Sequence, residues 1–357
     1  MGTPCEPEYY RIDSRSMTSP AKSTSQLRCI EICAGTGGQA LGLALAGFQH
    51  AALVEIDQDA CATLRSNRPE WPIINDDIRS PERFVVEDHV GIDLLAGGVP
   101  CPPFSVAGKQ LGSDDERDLF PAAIRLIEVL TPRAIMLENV RGLMAPRFTA
   151  YRRRILRDLA SMGYADTYWD VVNASTFGVP QLRPRSVLVA FREPDAQKFR
   201  WPEGGKRPQT VGETLRLLMA ENGWRGADRW AEKAAGIAPT LVGGSRKHGG
   251  PDLGPTRAKS AWKALGVDAH GVADVPPPPG FPKNKAPKLT VRMAAALQGF
   301  PNAWVFAGRK TSAYRQVGNA FPPPVAQAFG EAIRDALLAT TRLALVDLSS
   351  LRRTSGA

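Results

Sequence analysis

The chain has little with which to bind a metal or build a disulfide framework. Its 357 residues hold four scattered histidines and five cysteines, none paired at C-x-x-C spacing. So few histidines leave no evident zinc site. An odd set of thiols, Cys5, Cys29, Cys33, Cys61 and Cys101, points to a reduced cytoplasmic setting rather than to cystines. No apolar run approaches the ~18 residues of a membrane helix, so no membrane partner is expected. The first 26 residues mix Ser, Thr, Pro, Lys and Glu without the apolar stretch of a signal peptide. Residues 1–26 are therefore expected to be a disordered tail, with Met17 as good a start as Met1.

What is present is an ordinary globular composition, 43% hydrophobic and 23% charged, with a net charge of +9. Excess positive charge favours a polyanionic partner, although an arginine-rich proteome produces the same excess. From Leu27 short apolar runs alternate with helical patterns. Strands are predicted at 28–33, 51–54, 92–96, 134–137 and 186–191, and helices at 38–46, 58–67, 119–130 and 148–162. Such alternation argues for a parallel sheet covered on both faces. Between 193 and 287 Pro, Gly, Lys, Arg and Trp abound and periodicity fades, and 274–288, with PPPPGFP, reads as a linker. Helical patterning resumes at 291–298 and 324–342. One α/β domain (27–192 with 288–345) is expected, interrupted by a smaller irregular domain (193–287).

Four places could carry chemistry. Gly35-Thr36-Gly37-Gly38 follows the first strand and opens a helix, where glycines let a ligand approach backbone N–H groups. Glu55 ends the second strand, 20 residues beyond Gly35, where an acid commonly binds ribose hydroxyls. The spacing does not complete G-x-G-x-x-G, and a tight structural turn is the simpler alternative. Cys101 stands in Gly97-Gly98-Val99-Pro100-Cys101-Pro102-Pro103-Phe104-Ser105, a stiff loop at the end of a central strand. Lone cysteines are more often small core residues, but the flanking prolines and glycines make that awkward here. Glu138-Asn139-Val140 puts a carboxyl group at the next strand end, suited to protonating a ring nitrogen or simply to facing solvent. In Gln181-Leu182-Arg183-Pro184-Arg185 two arginines share one face of an extended segment, fit for carbonyl or phosphate contacts or for a solvated edge.

Taken in this order, the motifs resemble those of the bacterial DNA cytosine-5 methyltransferase family. The resemblance runs from about Arg28 to Arg334, with a gap across 193–287. AGTGG is similar to the first cofactor motif, with Cys33 where Phe is usual. PCPPFS is similar to the Pro-Cys motif, with Pro102 in place of the more frequent Gln. ENV and QLRPR match the motifs that hold the target ring. RMAAALQGFP and QVGNAFPPPVAQAF resemble the late motifs, with Phe321 where Val is usual.

The resemblance implies a Rossmann-like S-adenosylmethionine-dependent methyltransferase fold with a smaller irregular target-recognition domain. It implies methylation of carbon 5 of cytosine in a specific duplex DNA sequence, with S-adenosyl-L-methionine as cofactor and the base flipped from the helix. Cys33, Ala34, Gly35, Gly37 and Gly38 are expected around the methionine moiety, with Glu55 on the ribose. Asp77 is expected on the adenine amino group, and Ile56 and Ile78 on either side of the ring. Pro100, Leu119, Asn319 and Ala320 would complete the pocket. Cys101 would be the nucleophile, Glu138 the proton donor to ring nitrogen 3, Arg185 the clamp on the ring oxygen, and Arg183 the support of that loop. Ser105 and Lys109, in a loop at 103–118, are expected to touch DNA, as are Gln181, Thr240 of APTLVGG, Arg246, Lys247 and Arg257. No residue is an obvious base for the final proton loss, so bound water is expected to serve. A monomer, working in the cytoplasm or at the nucleoid, with a possible cognate restriction endonuclease, completes the picture. Methylation of tRNA by the related RNA-acting branch, and a catalytically silent DNA-binding relative, are the alternatives.

Overall fold

The computed structural model describes residues 26–100, 118–192, 194–243 and 252–354. Seven strands form one sheet: β1 (Arg28–Ile32), β2 (Gln49–Glu55), β3 (Ile73–Asn75), β4 (Leu94–Gly98), β5 (Ala134–Val140), β6 (Asp166–Asn173) and β7 (Pro184–Phe191), in the order β3-β2-β1-β4-β5-β7-β6. The first five run parallel, but β7 is antiparallel to both β5 and β6. The expectation of a wholly parallel sheet is corrected here. β6 reaches β7 through a short connection around Ala174–Thr176 rather than a helical crossover, and only antiparallel neighbours can be joined so briefly.

Helices cover both faces. Along β5, Ile135 and Leu137 point into a core shared with α3 (Phe120–Leu130) and α4 (Thr149–Ser161). Ala134 and Met136 point to the other side, where α1 (Gly38–Leu45) and the long α10 (Pro323–Thr354) lie. α1 and α10 approach so closely at Gly42 that a Cβ there would lie 2.5 Å from Ala326 Cβ. The remaining helix on this part of the chain, α2 (Gln58–Asn67), is N-capped by Asp57 through the N–H groups of Asp59 and Ala60.

Residues 194–289 are more regular than their composition suggests. They form α5 (Val211–Ala220), α6 (Ala227–Lys233) and α7 (Thr256–Ala264). Trp224, Trp230 and Trp262 are buried among them, in a cluster that continues into α8 (Val291–Leu297) and α9 (Lys310–Asn319). The proline-rich 274–288 segment has no helix but is packed, with Phe281 edge-on to Trp224 at 5.4 Å between ring centres.

Candidate active site

A cavity of about 430 Å³ opens where β1, β2, β4 and β5 end, a volume suited to a nucleoside-sized ligand. The turn after β1 makes its floor. Cys33 and Gly35 take positive φ of 52° and 55°, and the turn is pinned by Gly37 N donating to Ala34 O. Gly35 N also donates to Glu55 Oε2 at 2.7 Å, while Glu55 Oε1 accepts from Asp57 N at 2.7 Å. Burial raises the Glu55 pKa, and the backbone donors of Asp57, Gly35 and Ile56 oppose it. Each carboxylate oxygen retains a second lone pair for a ribose hydroxyl. At Gly38 a Cβ would collide with Phe321 O at 2.2 Å, so only glycine lets the two segments meet beside the cavity.

Of the residues expected around the cofactor, Cys33, Ala34, Gly35, Gly38, Glu55, Ile56, Asp77, Ile78, Pro100, Leu119, Asn319 and Ala320 all line this cavity. Gly37 does not, which corrects its expected role. Its Cα faces Leu64 and Trp304, and a Cβ would meet Leu64 Cδ2 at 2.6 Å, so it serves packing. Ile56 stands 59% exposed at the rim while Ile78 is buried, an open apolar face that a flat ring can cover. Asp77, expected to accept from adenine, is clasped by Arg79 Nε and Nη2 at 2.9 and 2.6 Å, which holds its carboxyl below the usual carboxylate range.

At the other end, Leu119 N donates to Pro100 O at 3.2 Å and Asn139 Nδ2 donates to Val99 O at 2.8 Å. These bonds fix both stems of the segment that begins with Cys101. Cys101, Ser105 and Lys109 themselves lie outside the described residues, as do Arg246 and Lys247. Glu138, beside Gly98 in register, is buried and paired with Arg185 Nε at 2.8 Å. Burial raises the Glu138 pKa, and the charges of Arg185 and Arg183 pull against it. The result is a carboxyl group that keeps its proton at higher pH than an ordinary one, as a donor to a ring nitrogen requires.

Arg183 is fully buried. It donates to Leu241 O, Gly318 O and Ala320 O at 2.8, 2.7 and 2.9 Å, so it braces the site rather than facing it. Gln181 is likewise 0% exposed, with its amide bonded to Leu297 O, Gln298 Oε1 and Leu241 N. It cannot reach DNA, and the expectation that it binds there is corrected. Thr240 spends its hydroxyl hydrogen on Leu182 O. Arg257 is exposed in the first turn of α7.

Several lining residues escaped the sequence reading: Glu31, Thr36, Gln39, Arg315 and Gln316. Glu31 had a visible signal, a charge inside an otherwise apolar strand; it is buried, with Oε2 unpartnered and its pKa raised well above normal by burial and by Glu55. Gln316 Oε1 accepts from Thr63 and Thr36 while its Nε2 donates to Ala307 O, tying α9 to α2 and to the glycine turn. Only the fold brings those segments together. The lining holds the carboxyl groups of Glu31, Glu55, Asp57, Asp76, Asp77 and Glu138 against the guanidinium groups of Arg79 and Arg315. That acidity, the unpartnered polar atoms and the glycine cradle fit a cationic nucleoside. Among the described residues no group of His, Cys, Asp and Glu could hold a metal, and no helix is long and apolar enough to cross a membrane.

A Rossmann-like sheet with an acidic nucleoside cavity at its carboxyl edge defines an S-adenosylmethionine-dependent methyltransferase. The narrower assignment comes from comparison: the family profile of the C-5 cytosine-specific DNA methylases matches residues 27–335, and the chain belongs to that family. It is 59% identical over 312 residues to Type II methyltransferase M.NaeI of Lentzea aerocolonigenes, covering 87% of this chain and 75% of that one. It is 52% identical over 320 residues to Type II methyltransferase M.NgoMIV of Neisseria gonorrhoeae, covering 87% and 98%. A prophage-encoded DNA modification methyltransferase structure from E. coli shares the fold, with TM-score 0.61, 24% identity, and coverage of 87% of this chain and 99% of that one. The enzyme therefore transfers methyl groups from S-adenosyl-L-methionine to carbon 5 of cytosine in DNA. Neither tRNA methylation nor a silent relative is favoured.

Proposed function

We propose that this enzyme modifies one specific duplex sequence as a monomer, within a restriction-modification system, with residues 193–287 reading the target and Cys101 attacking the flipped base. The names of its Type II relatives support the restriction context, and a cognate endonuclease is the expected partner. The buried Glu138–Arg185 pair at the cavity edge, beside the stem of the Cys101 segment, carries the chemical reading.

When bound, the cofactor supplies an electrophilic methyl group. Cys101 thiolate adds to carbon 6 of cytosine, and the ring electrons it displaces make carbon 5 nucleophilic. Glu138 eases that addition by donating its proton to nitrogen 3. Arg185 steadies the ring oxygen while its Nε holds Glu138 in line. Arg183 keeps this loop against Leu241 and Gly318. Once carbon 5 has been methylated, water takes its proton and the thiolate leaves.

A duplex carrying 5-fluorocytosine cannot lose that proton and should trap the native enzyme covalently. Cys101→Ser should form no adduct and transfer no methyl group, yet bind cofactor normally by calorimetry. Trapping by the serine variant, or none by an active native preparation, would reject Cys101 as nucleophile.

A further inference from the structure

Most buried polar side chains around the cavity have protein partners. Glu55 holds Gly35 and Asp57, Glu138 holds Arg185, and Gln316 holds Thr63 and Ala307. Gln39 differs. It stands in the first turn of α1, lines the cavity and is only 3% exposed. Neither its Oε1 nor its Nε2 has a hydrogen-bond partner among the described residues. A dry, unpaired amide costs stability that a leucine would not, so its presence calls for a partner from outside the chain.

Charge narrows which part of the ligand that partner is. The acids around the cavity suit the sulfonium and ammonium groups of S-adenosylmethionine but repel its carboxylate. That anion needs neutral donors. α1 has no acidic residue in its first turn and no side-chain cap, and the first N–H groups of a helix lack intrahelical partners. Gln39 adds an unpaired NH₂ to the same turn.

We propose that Gln39 is a cofactor-binding residue whose Nε2 donates, alongside the first-turn N–H groups of α1, to the carboxylate at the methionine end of S-adenosylmethionine. A donor of this kind selects the intact amino-acid head of the cofactor. It does so without adding a positive charge that would repel the sulfonium.

Calorimetric titration of the full chain with S-adenosylmethionine and with its decarboxylated analogue tests the assignment. Gln39→Leu should weaken binding of the first on the order of 10-fold, the worth of one hydrogen bond to a charged group, and of the second by less than about twofold. Gln39→Glu should weaken the first further, carboxylate against carboxylate, and spare the second. Equal losses for both ligands, or no loss for either, would overturn the proposal. Gln39→Leu removes unpaired buried atoms and is expected to melt no lower than the native chain. If it fails to fold, Gln39→Met carries the same comparison.

Discussion

Residues 28–192 and residues 194–289 hold together by different means. In the first, backbone ladders run through seven strands, and apolar side chains alternate between two faces. In the second there is no named strand among the described residues. Short helices gather around buried tryptophans, and α5 is fixed by a capping box between Thr210 and Glu213. The two regions meet at buried polar side chains, chiefly Gln181, Arg183 and Gln298, which bond backbone carbonyls from both sides. A ladder survives the loss of any one side chain, whereas a junction of this kind does not. Target specificity can thus vary in one region while the chemistry stays framed by the other, provided the junction holds.

The largest effect is expected where that junction is cut. Arg183→Met leaves the carbonyls of Leu241, Gly318 and Ala320 buried without a donor. The loss should reach about 3–5 kcal/mol, typical of removing one member of a buried charged network. Thermal melts report the total. Hydrogen exchange should show α5 and the 238–241 segment opening well before β1 and β4. Uniform opening would mean that the two regions are not separable.

The sheet region has a weakness of its own, in acid. His50 is buried, with Nδ1 3.2 Å from Cys29 Sγ and Nε2 3.0 Å from Ala40 O, and burial lowers its pKa from 6.5 to about 4. A histidine held neutral in the folded state takes up its proton on unfolding. Stability is therefore full above pH 6.5 and falls as the pH drops toward 4. The loss by pH 4 should be about 3 kcal/mol, from 1.36 kcal/mol per pH unit. His50→Gln should flatten that part of the stability profile. An unchanged acid slope would show that other groups set it.

Glu55 and Asp77 sharpen the comparison within the cofactor site. Glu55→Gln turns an amide donor toward Gly35 N or Asp57 N, so both the turn and the ribose contact suffer, at about 1–3 kcal/mol of cofactor affinity. Asp77→Ala should cost less, because Arg79 already occupies much of that carboxylate. Calorimetry in which Asp77→Ala is the more damaging change would mean that Arg79 releases the acid when cofactor binds.

These regions were not equally legible. The glycine turn, Glu55, Glu138 and the α2 boundaries follow from local pattern, since a strand end or a helix cap is written in a few consecutive residues. β3 was too short to show a period, and the edge strand β6 carries Asp166, Asp170 and Asn173 rather than a clean apolar alternation. Residues 211–264 looked irregular because their helices are brief and anchored by single tryptophans. Gln181 looked like a DNA contact because sequence cannot tell a polar side chain facing solvent from one sealed against Leu297 and Gln298. Gln316 needed the fold for a different reason, since its partners Thr63 and Ala307 come together only when α2 meets α9.

The smallest effect is expected at the surface of the second region. Arg257 is exposed in the first turn of α7 and forms no ion pair among the described residues, whereas nearby Lys259 is tied to Asp252 at 2.6 Å. A helix N-terminus favours an anion, so Arg257 there suits a DNA phosphate better than a base edge. Phosphate contacts act alike on every sequence and release counterions. Arg257→Ala should therefore weaken all duplexes together and reduce the slope of log affinity against log salt by about 1. Base reading then falls to the neighbouring segment with Arg246 and Lys247, where at least one alanine substitution should change the ranking of targets. Methylation profiled on a randomised duplex library separates the outcomes. A changed ranking for Arg257→Ala at constant salt slope would make Arg257 a base reader. A uniform loss for Arg246→Ala and Lys247→Ala would remove that segment from target choice.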